Sequence, residues 1–170
     1  MLNTIYPFAA LLCLTAAVTS CGGNEQKTVP TAKTAESTIV EALLGTWETV
    51  EVETTSHTWE GRDTIVHLHI KEADWARRFG SRPARTVYTP DGKFRRTYYN
   101  IKGQATDLTN GLWKAKGTDS LQVIEPNNLM VFKHELNAGR LTLTGFVDWD
   151  YDGEQDDEYR AVLRLVAKTD

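Results

Sequence analysis

From Ile39 onward the chain alternates apolar and polar positions with a period of two, interrupted at short intervals by turn residues. Over Thr64–Ile70, Val66, Leu68 and Ile70 fall on one side, with His67 and His69 on the other. Over Glu158–Ala167, Tyr159, Ala161, Leu163 and Leu165 share a side. This is the period of a strand with one buried face. The same pattern predicts strands over Trp47–Thr54, Arg85–Thr89, Phe94–Ile101, Gly111–Ala115, Leu121–Ile124, Leu129–Leu136 and Leu141–Val147. Pro90-Asp91-Gly92, Lys116-Gly117-Thr118-Asp119 and Asn137-Ala138-Gly139-Arg140 supply turns between successive pairs, which therefore read as hairpins. Only two pieces favour helix: one or two turns at Ile39–Leu44, and Lys71–Phe79. Without long helices between the strands, a parallel α/β sheet is excluded. A meander of about eight or nine short strands has to close on itself or pair, because open edges invite aggregation. The predicted fold class is all-β, an up-and-down barrel of about eight strands with a short helical insertion.

Three segments, in this order, resemble the strand starts of lipocalin-like domains. Leu44-Gly45-Thr46-Trp47 is similar to their Gly-x-Trp opening strand. Tyr88-Thr89-Pro90-Asp91-Gly92-Lys93-Phe94 is similar to their aromatic–turn–aromatic hairpin. Gly111-Leu112-Trp113, followed by Asp119-Ser120-Leu121, is similar to a later Gly-x-Trp strand before a polar turn. The resemblance spans most of residues 40–167 and implies a lipocalin-like barrel. It implies a fold more than an activity.

Ahead of the barrel lies a different kind of sequence. Pro7–Val18 is almost wholly apolar, too short for a relaxed membrane span but suited to the core of a signal peptide. Val18-Thr19-Ser20-Cys21 then resembles the lipobox of bacterial lipoproteins, in which the cysteine is lipidated by acyl chains such as palmitate and becomes the first residue after cleavage. The leading Met1–Tyr6 has no Lys or Arg, a departure from the usual basic start. Residues 22–37 contain no aromatic residue and few apolar ones, and so cannot bury enough surface to offset ordering entropy. The expected organisation is a signal peptide at 1–20, a lipidated Cys21 with a flexible tether to 38, and one barrel domain over 39–170. Gly22 after the cysteine implies, by the sorting patterns of such proteins, the outer membrane of the cell envelope. The lack of a dense acidic run favours its periplasmic face.

Composition narrows the chemistry. The 170 residues are 41% hydrophobic and 25% charged, with a net charge of −4 and basic residues scattered along the chain. Nucleic acid binding needs a clustered basic surface and is not expected. The two cysteines, Cys13 and Cys21, both precede the barrel, which therefore has no disulfide, thiolate nucleophile or cysteine-bound zinc. No nucleophile elbow, zinc-protease helix or phosphate-binding glycine loop occurs, so an enzyme is not expected.

The most chemically loaded stretch is Asp148-Trp149-Asp150-Tyr151-Asp152-Gly153-Glu154-Gln155-Asp156-Asp157-Glu158. Its D-x-D-x-D-G spacing is that of a calcium loop, and Asp156 falls at the ninth position. The twelfth is Tyr159 rather than a bidentate carboxylate, and strands rather than helices flank it. Calcium held by Asp148, Asp150, Asp152 and Asp156 stands beside the plainer reading of a solvated acidic hairpin. His57, His67 and His69 place no third metal ligand near a shared pair, and read as outer-face residues. Trp47 and Trp113 read as core. The long segment 56–83 is where a barrel mouth is expected to be covered. Trp59, Trp75, Arg77 and Arg78, with Tyr98, are the candidate ligand-binding residues.

The function expected is that of a membrane-anchored envelope lipoprotein whose barrel binds a small, partly hydrophobic ligand. The alternative is a filled barrel acting as a protein-interaction module of an envelope complex. Barrels of about eight strands take either form.

Overall fold

The computed structural model describes residues 39–59 and 62–169. The expected signal peptide, the lipidation site Cys21 and the tether lie outside the described residues. A single helical turn at 39–43 leads into nine antiparallel strands: β1 (Gly45–Ser56), β2 (Val66–Lys71), β3 (Ser81–Tyr88), β4 (Lys93–Asn100), β5 (Ala105–Lys116), β6 (Ser120–Glu125), β7 (Asn128–Asn137), β8 (Arg140–Val147) and β9 (Asp157–Ala167). β1 pairs with β9 along one edge, from Thr46↔Ala167 to Thr55↔Glu158. Its other edge is shared. Gly45–Glu48 pairs with β3, and Glu51–Ser56 pairs with β2. β1 and β3–β9 thus form a closed eight-stranded up-and-down barrel, with β2 as a ninth strand beside the upper half of β1. Between β2 and β3 the chain makes an excursion containing one turn of π-helix, Trp75–Phe79.

The sides of the barrel follow the alternation. Trp47, Val52, Tyr88, Phe94, Trp113, Leu121, Val123, Phe132, Leu141, Leu143, Ala161 and Leu163 are buried in one core. The outer face carries ion pairs: Glu48 with Arg85 and Arg164, Arg164 with Glu72, and Arg160 with Glu51 and Glu53. Apolar residues inside and charges outside is the reverse of a barrel that faces lipid.

One end is plugged. Leu43, fully buried, sits under the barrel, and Trp47 donates its indole N–H to the Leu43 carbonyl at 2.8 Å. Lys168 donates to the Ala42 carbonyl, closing the end of the helical turn. The three lipocalin-like segments gather here. Gly45 lets β9 approach so closely that a Cβ would lie 2.4 Å from the Ala167 carbonyl oxygen. Gly111 lies opposite Phe94, whose ring occupies the space a side chain would take, 2.5 Å from an ideal Cβ. Trp113 donates its indole N–H to the Lys93 carbonyl at 3.0 Å, tying β5 to the β3–β4 turn. Each glycine is therefore a point of close packing, and each tryptophan fills the floor and caps a turn.

Two strands start earlier than the alternation predicts. β5 begins at Ala105 rather than Gly111, because its first half pairs with β4 at the rim, where almost all its side chains are exposed and no apolar period is needed. β3 begins at Ser81 and passes through Pro83, which sits at a register shift against β4 and so costs no ladder hydrogen bond.

Candidate functional site

At the end opposite the plug, the β1–β2 loop, the Trp75–Phe79 excursion, the β4–β5 turn and the β8–β9 loop surround an opening. Below it the lumen holds a cavity of about 360 Å³. Val52, Val123, Phe132, Leu143 and Leu163 form its apolar wall, and Trp75, Tyr98, Trp149 and Tyr151 stand around its mouth. This size falls at the low end of ordinary small-molecule sites. A larger groove of about 650 Å³ runs over β7, β8, β9 and β1, past Val131, Phe146, Lys133, Arg160 and Glu53. It is open to solvent, and its exposed apolar side chains, Val131 and Phe146, lie on the outer surface, so the enclosed lumen is the more specific feature.

Among the described residues, Arg96 on the lumen wall forms an ion pair. Arg96 of β4 and Glu125 of β6 meet across the wall at 2.7 Å, with about a quarter and a fifth of their side-chain surfaces exposed. Arg96 lines the cavity, so its remaining exposed surface faces the lumen. Burial opposes its charge, but the surrounding oxygens of Tyr98, Tyr88, Glu125 and Tyr159 outweigh this and hold the guanidinium protonated. Its face lies 5.5 Å over the Phe94 ring. Burial pushes the Tyr159 hydroxyl up to about 12, so it stays a neutral hydrogen-bonding group beside the pair. The result is a largely apolar chamber into which Arg96, partnered by Glu125, brings a buried charge, with Arg82, Thr86 and tyrosine hydroxyls also on its wall.

Trp75 and Tyr98, both singled out from sequence, line this cavity. The other three candidates stand elsewhere. Arg77 is bound to Asp74 at 2.6 Å, Arg78 donates to the His69 carbonyl, and Trp59 bridges to Arg62 in the β1–β2 loop. Arg96 and Glu125 were not among the sequence candidates. The signal for them was present: Arg96 shares the inward parity of Phe94 and Tyr98, and Glu125 that of Leu121 and Val123. A charge on the apolar side of a strand marks either a pair or a site.

The β8–β9 loop draws Asp148, Asp150 and Asp157 together, with one oxygen from each within 4.8 Å of the others. Asp152 turns away and accepts from the Glu154 amide and from the Thr58 hydroxyl. Asp156 is exposed and outside the cluster, while its neighbour Asp157, the first residue of β9, is buried within it. Burial, together with the carboxylates of Asp152, Asp157 and Asp148, pushes the Asp150 carboxyl above the usual carboxylate range, against a backbone hydrogen bond from Asp152. A second group, Glu51, Glu53 and His69, lies on the outer face. There Arg160 already donates to both glutamates, at 3.0 and 3.4 Å, and offsets part of their charge. His67 bonds the Thr55 hydroxyl, and His57 approaches Glu158 at 3.7 Å.

No protein-family model matches the chain, and no curated protein matches it.

Proposed function

We propose that this protein is a lipid-anchored envelope lipoprotein whose barrel holds a small, partly hydrophobic ligand in its lumen. The observation that carries this reading is the chamber of about 360 Å³, open at one end, with the buried Arg96 guanidinium, paired with Glu125, on its wall. A ligand with an apolar body would replace water against Val123, Phe132 and Leu143, worth about 25 cal/mol per Å² of surface removed from water. A polar end would reach Arg96, Glu125 and the nearby tyrosines. No chemistry is assigned to the site, which binds and shields.

Native mass spectrometry of the full-length chain purified from an envelope fraction tests the ligand. A discrete added mass that disappears on denaturation is expected. A bare chain mass in every preparation would remove the binding reading. Lipidation is tested separately. Labelled palmitate is expected to enter the wild-type chain and not Cys21→Ser, and equal labelling of both would end the anchor assignment.

A second reading, an interaction module of an envelope complex, is favoured by one feature. Leu112, Ile124 and Leu129 lie side by side on the outside of β5–β7, and Leu112, Leu129, Val131 and Phe146 are all exposed. Contiguous apolar surface on a barrel exterior marks contact with another molecule.

A further inference from the structure

We propose that the β8–β9 loop is a binding site for one divalent cation of the calcium class, with Asp148, Asp150 and Asp157 as its protein ligands. Each carboxylate is oriented by a backbone amide on one oxygen. Asp157 Oδ2 accepts from the Trp149 and Asp150 amides, Asp150 Oδ1 from Asp152, and Asp148 Oδ2 from Gly153. The opposite oxygens, Asp148 Oδ1, Asp150 Oδ2 and Asp157 Oδ1, are closed off from bulk solvent and have no hydrogen-bond partner in the protein. Asp157 is only 1% exposed, so its unpartnered oxygen is a buried acceptor within a group of three carboxylates that bring one oxygen each within 4.8 Å of one another. Among the described residues no Lys, Arg or His forms an ion pair with any of the three.

Buried acceptors without donors are costly, and three like charges facing one another add repulsion. A single cation removes both penalties. An all-oxygen donor set selects a hard ion, and two oxygens on one calcium, each about 2.3–2.6 Å from it, can span the observed separation. Magnesium, with shorter bonds and strict octahedral geometry, fits this irregular loop less well. Zinc prefers nitrogen and sulfur donors, which the cluster lacks. The site stands on its own geometry and does not depend on what occupies the lumen.

Isothermal titration of the full-length chain in chelator-treated buffer, with calcium chloride and separately with magnesium chloride, tests it. One calcium per chain is expected, with a dissociation constant at or below about 10⁻³ M and weaker binding of magnesium. Asp148→Asn and Asp157→Asn are each expected to weaken calcium at least about tenfold, since affinity follows ligand charge. Asp152→Asn, whose carboxylate points away, is expected to stay within about threefold. The absence of saturable calcium heat in the folded wild-type chain overturns the proposal. So does loss of binding in Asp152→Asn with retention in Asp148→Asn. Should Asp157→Asn fail to fold, as far-ultraviolet circular dichroism would reveal, Asp148→Asn and Asp152→Asn still decide the outcome.

Discussion

Trp47→Ala is expected to lower the unfolding midpoint of the barrel by roughly 10–25 °C, the equivalent of about 3–5 kcal/mol at about 3–6 °C per kcal/mol for a domain of this size. The indole is 1% exposed and fills the floor of the barrel, and its N–H satisfies the Leu43 carbonyl at the end of the plugging turn. Truncation would leave a void that the neighbouring strands cannot close, because both edges of β1 are held at this level, by β3 and β9. It would also strand the Leu43 carbonyl. Trp47→Phe keeps most of the volume and loses the donor, so about a third of the effect is expected. Thermal melts followed by circular dichroism measure both. A drop below about 3 °C for the alanine variant would mean that the plug contributes little and the barrel is held by its ladders alone.

Replacing either member of the Arg96–Glu125 pair alone is expected to be more damaging than replacing both. Glu125→Leu leaves a guanidinium facing an apolar chamber, and Arg96→Leu leaves a carboxylate there. Losing one partner of a fully buried pair costs about 3–5 kcal/mol. Access to the cavity should reduce this to about 2–3 kcal/mol, since the orphaned charge can recruit water there. The double variant Arg96→Leu/Glu125→Leu is expected to recover most of that loss, because packed apolar side chains substitute well for a buried pair. Urea unfolding of all four proteins gives the coupling. A coupling below about 0.5 kcal/mol would show two independent residues. The double variant also separates structure from binding. It is expected to fold while retaining at least about tenfold less of the co-purifying mass, the worth of one charged hydrogen bond. Full retention of that mass would place ligand recognition elsewhere in the lumen.

How far these features were legible follows from how local each one is. The hairpins were readable because their turns and their alternation are short-range. Pro90-Asp91-Gly92 joins β3 to β4 and Asn137–Arg140 joins β7 to β8 where the composition places them. The floor was readable in part: Gly45 and Trp47 open β1 and are closely packed there, whereas Gly111 and Trp113 pack in the floor from the second half of β5 rather than at a strand start. The rim was less so. Ala105–Asn110 is a strand without a buried face, held by backbone hydrogen bonds to β4, and such a segment leaves no hydrophobic period to read. In the acidic loop the spacing singled out Asp148 and Asp150, two of the three carboxylates that the fold gathers. It also pointed to Asp152 and Asp156 and passed over Asp157, because which carboxylate turns inward depends on where β9 starts and on which amides the loop presents.

What the sequence determined by itself is the barrel and its orientation: a period of two in nearly every strand, apolar residues to one side, charges to the other, and turn residues between. Those follow from pleat geometry and from the free energy of removing apolar surface from water, which act residue by residue along the chain. Only the tertiary structure decided that Arg96 faces Glu125 across β4, β5 and β6, and that Trp75 and Trp149 stand at the mouth of the same chamber. It alone turned Asp157 inward beside Asp148 and Asp150. These are meetings of residues far apart in the chain, set by the register and closure of the barrel, and pairwise distances of that kind are not encoded in any local pattern.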